Sequence, residues 1–331
     1  MPVLAMIVKN SWSECRDILL EVLDSTLQVP YKAFILVDDG ADETREVVGK
    51  WCAEHGKELV YSRSRLYGHP HPTRATARQT AIDIFLENFQ EEWLMFIDDD
   101  AVLNPGWWEE ARYYIRDSKV GLIWGLNYDS TPFRRKLLGK LGIDYVSYLK
   151  KQFDVRGGTH DTMLRRGAIE GIFIPPQLHI FEDAFIKHYI ECRGYRCAVL
   201  EAGITHKNPG REPGKRTLKL MAEWGLKLGL EDLRYRSPLF GLYALARTTA
   251  GLPLTLGVYI QLLGLREGLR RGFKRFWTKW LYRWYLWTLS FKVKPPLNRC
   301  EAIMKYANTQ AKNRADVIAE GRDSGKFYLI R

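Results

Sequence analysis

Three consecutive carboxylates, Asp98, Asp99 and Asp100, stand in "MFIDDDAVLNP" directly behind an apolar run. Side by side they repel one another, so a chain gains little from them unless something positive sits there. A hard divalent cation takes carboxylate oxygens, and Mg²⁺ commonly draws one or two from protein and the rest from phosphate and water. Asp98 and Asp100, two residues apart, can turn toward the same region at a strand end. The competing reading is a solvated acidic turn. A second acidic pair, Asp38–Asp39, closes "YKAFILVDDG", and a third, Glu182–Asp183, opens "IFEDAFIKHYIECRGY".

The elements around these residues alternate. "PVLAMIV", "YKAFILVDDG", "ELVYSR", "EWLMFI" and "KVGLIWGL" are short apolar runs of strand type. Between them "CRDILLEVLDST", "ETREVVGKWCAEHG", "TRATARQTAIDIFLENF" and "GWWEEARYYIRDS" have helical spacing, with Gly56 as a C-cap and Thr73 as an N-cap. Residues 127 to 155 read as a loop or a helix on the acceptor side. "IFEDAFIKHYIECRGY" is a helix ended by Gly194, and "RCAVLEAGITH" is a final strand reaching His206. Such alternation predicts a largely parallel, doubly wound sheet, in which ligands bind beyond the carboxyl ends of the strands. Both aspartate clusters fall at such ends.

Five features in order, "ILVDDGADET", "RATARQTA", "MFIDDDAVLNPGWW", "IFEDAFIKHYIECRGYR" and "ITHKN", resemble the family-2 glycosyltransferases of the GT-A fold over about residues 1 to 206. The resemblance implies a Rossmann-like mixed α/β sheet flanked by helices. It implies that Asp38 and Asp39 bind the nucleoside of a sugar nucleotide. Asp98 and Asp100, matching a D-x-D element, would bind ribose and a Mg²⁺ or Mn²⁺ ion on the diphosphate. Asp183 would be the catalytic base, with Glu182 beside it. His206 matches a histidine that reaches the metal or diphosphate, and Gly158, Thr159 and Asp161 fall where the donor sugar and acceptor are lined.

The residues are consistent with those roles. Breaking a sugar–diphosphate bond requires stabilisation of the leaving charge, which a metal at Asp100 would supply. Arg78 near a helix start could contact the nucleotide or diphosphate; an ordinary surface arginine is the alternative. The helix N-terminus at Asp183 favours its ionised form, although a carboxylate there can equally be a cap. Gly157 and Gly158 permit close backbone approach. The reaction implied is a single displacement with inversion, Asp183 deprotonating an acceptor hydroxyl.

The net charge of +11 is unevenly spread. Lys207 to Pro296 holds eighteen Lys or Arg against five Asp or Glu, a net of +13, so the remainder carries −2. That segment also contains an apolar stretch, Leu239 to Leu265, interrupted at Gly251-Leu252-Pro253, a basic patch "REGLRRGFKR", and "FWTKWLYRWYLWTLSF" with four tryptophans at helical spacing. Trp, Lys and Arg at such spacing describe an interfacial helix. The expected organisation is a transferase domain over 1–210, a helical membrane-embedded or interfacial module over 211–296, including a re-entrant or spanning hairpin near Pro253, and a cytosolic tail over 297–331. "MPVLAMIVKN" reads as a first strand, without the basic region of a secretory signal. The catalytic domain is expected on the cytoplasmic side. Five scattered cysteines suggest reduced thiols without a disulfide framework or structural zinc.

The expected activity is therefore transfer of a hexose, from GDP-mannose first or UDP-glucose second, to a lipid-linked acceptor. Two relatives compete. Polyprenyl- or dolichol-phosphate sugar synthases attack with phosphate and usually lack the E-D pair. Cellulose-synthase-like processive enzymes carry a Q-x-x-R-W motif that this sequence lacks. A sugar nucleotidyltransferase would need a glycine-rich loop near the N-terminus, and "IVKNSWSEC" has no glycine. The remaining alternative is a basic membrane- or nucleic-acid-binding scaffold on an inactive fold; intact Asp98, Asp100 and Asp183 argue against it.

Overall fold

The computed structural model describes residues 1–129, 133–207, 213–308 and 328–330. In chain order the strands are β1 (Pro2–Val8), β2 (Ala33–Asp38), β3 (Glu58–Ser62), β4 (Trp93–Phe96), β5 (Ala101–Leu103), β6 (Val120–Asp129), β7 (Met163–Arg165), β8 (Arg196–His206) and β9 (Tyr328–Ile330). The helices are α1 (Ser11–Ser25), α2 (Thr44–Glu54), α3 (Arg74–Asn88), α4 (Trp107–Ile115), α5 (Phe133–Lys140), α6 (Tyr145–Arg156), α7 (Arg166–Ile169), α8 (Glu182–Cys192), α9 (Lys215–Lys227), α10 (Pro238–Ala250), α11 (Leu252–Leu263) and α12 (Leu265–Leu289). The chain divides into two compact units, one of residues 1–131, 146–209 and 304–331, the other of residues 132–145 and 210–303.

The first unit is built on one sheet in the order β5-β8-β6-β7-β4-β1-β2-β3-β9. β1 pairs in parallel with β2 and β4, and β2 with β3, while β7 runs antiparallel between β4 and β6. The sheet is thus mixed, with a parallel centre. β1 and β2 are buried along almost their whole length, as parallel strands covered on both faces must be. Phe34, Leu4, Met6 and Leu19 anchor the core on one face. No strand was expected at the antiparallel β7, because three residues are too few to show a period. Part of the expected tail also joins the sheet, since β9 pairs with β3; residues 309–327 and 331 of that tail lie outside the described residues, as do 208–212 of the Pro/Gly-rich loop.

α3 begins where the sequence placed it. The Thr73 hydroxyl accepts from the Thr76 amide at 3.1 Å, and the Thr76 hydroxyl accepts from the Thr73 amide at 2.7 Å, a reciprocal capping box. Buried from Ala75 to Phe85, α3 carries its polar residues into the interior. Among them is Arg78, 3% exposed, which is therefore not a surface arginine.

In the second unit α9, α10 and α12 enclose a small core of Ala222, Leu226, Tyr235, Ala244 and Leu286. The basic patch and the tryptophan run, separate in the sequence reading, belong to the single 25-residue helix α12. Trp277 stacks on Trp280 and Trp280 on Trp284, with centroids 5.4 and 5.6 Å apart. α11 has no buried residue although it is mostly apolar. Among the described residues no helix is long and apolar enough to cross a membrane. The break at Gly251 leaves α11 with 12 residues, about 18 Å against a hydrocarbon core of roughly 30 Å.

Cys15, Cys52 and Cys197 are free thiols.

Candidate active site

The parallel register of β1, β2 and β4 brings three loop starts to one edge of the sheet. Val8 lies opposite Asp38, and Ala5 opposite Phe96. Asp38 and Asp39 thus emerge on one side of β1 and Asp98–Asp100 on the other. Residues from the end of β1 link the two. The Asn10 side-chain oxygen accepts from the Ala41 amide at 2.9 Å, and the Ser11 hydroxyl donates to Asp99. Gly40 is required here, since a Cβ would lie 2.5 Å from the Asn10 nitrogen.

The acidic residues divide by environment. Asp38 is buried and accepts from the Gly40 amide at 2.7 Å; burial raises its pKa. Asp39 accepts from the Ser64 amide at 3.0 Å and from the Ser64 hydroxyl at 2.5 Å. Asp99 is pushed up to about 6, by burial and then by Asp100 and Asp98. Bonded to Ser11, it is a structural member of the trio. For Asp98, burial acts upward, but the charges of Arg78, His160 and Arg74 hold its pKa below the ordinary value. The Arg78 Nη2 stands 3.2 Å from Asp98 Oδ1. Asp100 Oδ1 lies 2.8 Å from His206 Nε2, because β5 and β8 pair antiparallel with Ala101 opposite His206.

Glu182 and Asp183 open α8, behind Phe181 in the left-handed conformation at φ 71°. Arg78 reaches this pair too, its Nε standing 3.5 Å from Glu182 Oε1. One buried guanidinium therefore faces both the D-x-D element and the E-D pair. Among the described residues Nε and Nη1 of Arg78 find no hydrogen-bond partner, leaving donor capacity at the point where an anion would sit. Glu182 is 3% exposed, and burial, then Asp183, push it up to about 7 against the pull of Arg78 and Arg74. Asp183 is only half-buried, and its Oδ1 accepts from the Ala184 amide at 2.7 Å. Of the two, Asp183 is the carboxylate open to a reactant.

Residues 157–161 complete the site. Gly157 has φ +68°, and a Cβ there would lie 2.9 Å from the Asp183 carbonyl oxygen; one on Gly158 would lie 2.4 Å from Trp124 Nε1. Thr159 is buried, and Asp161 is fully buried with both oxygens engaged, by Trp107 Nε1 and His160 Nδ1, each at 2.7 Å. Asp161 therefore orients His160 rather than lining a sugar site. Trp124 Nε1 donates to His160 Nε2 at 3.2 Å, so the proton of this imidazole belongs on Nδ1. His160 stands 6.4 Å from His206, centroid to centroid, and its carbonyl accepts from the Asp98 amide.

Sequence reasoning missed His160, and also Arg74, whose charge interacts with Glu182, Asp98, Asp183 and Asp100 in that order of strength. A histidine beside Asp161 and an arginine one turn before Arg78 were the available signals.

No group of three or more His, Cys, Asp or Glu side chains able to hold a cation is formed among the described residues. Asp100 and His206 nevertheless present one oxygen and one nitrogen donor at the same point, with Asp98 on the same loop. That donor set fits a divalent cation whose remaining positions are filled by diphosphate oxygens and water. Such an ion would supply Lewis-acid stabilisation of a departing diphosphate.

Residues 4–173, just over half of the chain, match the family model for glycosyl transferase family 2. No curated protein sequence matches significantly. Among solved structures the chain is similar to S. aureus TarS, at 17% identity over 67% of this chain but only 39% of that one, with a TM-score of 0.45. It is also similar to a TarS 1-349 structure in complex with UDP-GlcNAc, at 13% identity over 100% of this chain and 97% of that one, TM-score 0.48. A mannosyltransferase from Pyrobaculum calidifontis in complex with GDP-Man and Mn²⁺ is 14% identical over 96% of this chain and 84% of that one, TM-score 0.46. With its mixed sheet, its acidic loops along one strand edge and a family match spanning half its length, the chain belongs to glycosyl transferase family 2 and is a glycosyltransferase.

Proposed function

We propose that the protein is an inverting, divalent-metal-dependent hexosyltransferase that carries a sugar from a nucleotide donor to a hydroxyl of a lipid-linked acceptor. The observation that carries this reading is Arg78, buried between Asp98 at 3.2 Å and Glu182 at 3.5 Å. It couples the loop that would hold the nucleotide and metal to the helix that would hold the base. Asp38 and Asp39 stand where a nucleoside would bind. Asp98, Asp100 and His206 would hold the cation, and Arg78 and Arg74 would face the diphosphate. Asp183 would take the acceptor proton. Glu182, pushed up to about 7, would be only about half ionised at neutral pH.

The proposal includes association with a membrane surface through the second unit, with the transferase unit on the cytoplasmic side. Its support is the exposure of Leu239, Tyr243, Leu254, Leu265, Phe273, Trp277 and Trp284 beside seven Lys or Arg on α12. Apolar and aromatic side chains among cations suit the headgroup zone. An acceptor carried in that zone fits a transferase held there. The donor is GDP-mannose first and UDP-glucose second.

A thermal-shift panel of GDP, UDP and their sugars, with and without Mn²⁺, tests the reading. One nucleotide sugar should raise the melting temperature, and metal should enlarge the shift. Absence of any nucleotide-dependent shift would remove the enzymatic proposal. Asp183→Asn should retain that shift while turnover falls by about 10²-fold or more; unchanged turnover would take Asp183 out of the base role.

A further inference from the structure

The second unit contains a cavity outside the residues assigned to the transfer reaction. About 370 Å³ in volume, it is lined by Phe133, Tyr259, Arg270, Arg271, Lys274 and Arg275. Four cations and no carboxylate face it.

The sequence explains why the cavity forms. Gly264, at φ +79°, turns α11 back onto α12. A Cβ on Gly268 would lie 2.4 Å from the Ile260 Cα, and one on Gly272 would lie 3.0 Å from a Leu256 methyl. The hairpin therefore closes against backbone at Gly268 and against side chains of α11 one turn later at Gly272, as small residues four apart allow. Tyr259 is held over α12, and Phe133 meets it with centroids 5.5 Å apart. Opposite, Arg270 and Lys274, like Arg271 and Arg275, are four apart on one helix, a spacing at which like charges repel. Glu267 pairs with both Arg270 and Arg271. Two turns on, Lys279 has its pKa lowered by burial and then by Arg283, Arg275 and Arg247, so cations crowd this side of the helix.

A polyanion would relieve that repulsion. Guanidinium forks match phosphate oxygens two at a time, and a doubly charged phosphate uses more of them than a phosphodiester. Around the cluster stand Leu254, Leu265, Phe273 and Trp277, each about half exposed or more. Apolar side chains so placed suit acyl chains and not a nucleic-acid backbone. We propose that this cavity binds the phosphomonoester or diphosphate headgroup of a lipid. The lipid part of this inference rests on the membrane association proposed above; the phosphate part stands without it.

The experiment uses the full chain in two arms. In the first, flotation is measured with vesicles of phosphatidylcholine alone, with added phosphatidylglycerol, and with added phosphatidic acid, the last two matched in surface potential. The wild-type protein should favour phosphatidic acid. Lys274→Gln/Arg275→Gln should lose that preference and bind phosphatidic acid vesicles roughly twentyfold more weakly. Arg266→Gln/Lys292→Gln removes the same charge at exposed positions outside the cavity and should keep the preference. In the second arm, glycerol phosphate and pyrophosphate are titrated calorimetrically in chelator-containing buffer, where both should bind wild type and neither should bind Lys274→Gln/Arg275→Gln.

Equal binding to the two anionic vesicles, or equal loss of preference in both double variants, would overturn the headgroup assignment. Titration binding without flotation on any vesicle would leave the phosphate site and remove the membrane reading. Retention on duplex DNA that Lys274→Gln/Arg275→Gln abolishes, without vesicle preference, would replace the lipid with a nucleic acid.

Discussion

Replacing Glu182 with Gln tests the electrostatics at the opening of α8. The carboxyl sits near pH 7 in the folded chain and near 4.5 in the unfolded one, raised by burial and then by Asp183. Between those values the folded state holds a proton that the unfolded state has released, so raising the pH destabilises the fold. The contribution is complete below about pH 4.5 and is lost as pH rises through about 7. A rise of that size corresponds to about 3 kcal/mol. For a domain of this size that is roughly 6–12 °C in melting temperature. Glutamine keeps the shape and carries no charge, so Glu182→Gln should not show this loss. Thermal unfolding of both proteins by calorimetry, from pH 4.5 to 8, gives the comparison. Titrating groups remote from α8 are common to both and cancel in the difference, whereas Asp183, which interacts directly with Glu182, contributes to it. Wild type should weaken relative to the variant steadily across that range, the difference levelling above pH 7. Parallel curves, or a difference confined below pH 5, would refute the assignment of Glu182 as a buried acid of near-neutral pKa.

Three further outcomes are expected. Asp100→Asn should abolish the metal-dependent part of the nucleotide-induced melting shift, measured by fluorimetry, because the carboxylate bonded to His206 is then neutral. Gly125→Ala should destabilise by at least about 1–3 kcal/mol in chemical denaturation, since its Cβ would lie 2.1 Å from Asp161 Oδ2 and 2.8 Å from Trp107 Nε1, between two bonded groups. Trp277→Ser/Trp284→Ser should leave unfolding unchanged within about 1 kcal/mol, as both are exposed, while flotation on phosphatidylglycerol vesicles falls by at least tenfold.

Much of the site was legible because its chemistry is local in sequence. Acidic pairs at strand ends, a helix opened by two carboxylates and a terminal histidine each show in a dozen residues. Placement of Asp38, Asp98 and Asp100 on one edge followed from strand alternation alone, since parallel strands put their carboxyl ends together. The burial of Arg78 was not legible: α3 has no amphipathic stripe, because it is covered on nearly all sides. Asp161 was expected to face a sugar and instead orients His160, a pairing that needs Trp107 from a distant helix. The division of the apolar stretch at Gly251 into two helices, α10 and α11, was only hinted at by the Gly251-Leu252-Pro253 break.

The sequence by itself determined the alternating α/β plan, the acidic loops and the concentration of charge and aromatics in the last third, because periodicity, capping and composition are properties of neighbours along the chain; the order of five motifs carried the resemblance to the family. Only the tertiary structure decided which carboxylates are buried, which guanidinium faces two of them and where four cations line one cavity. Those depend on desolvation and on distances between residues far apart in the chain, and no local pattern encodes either.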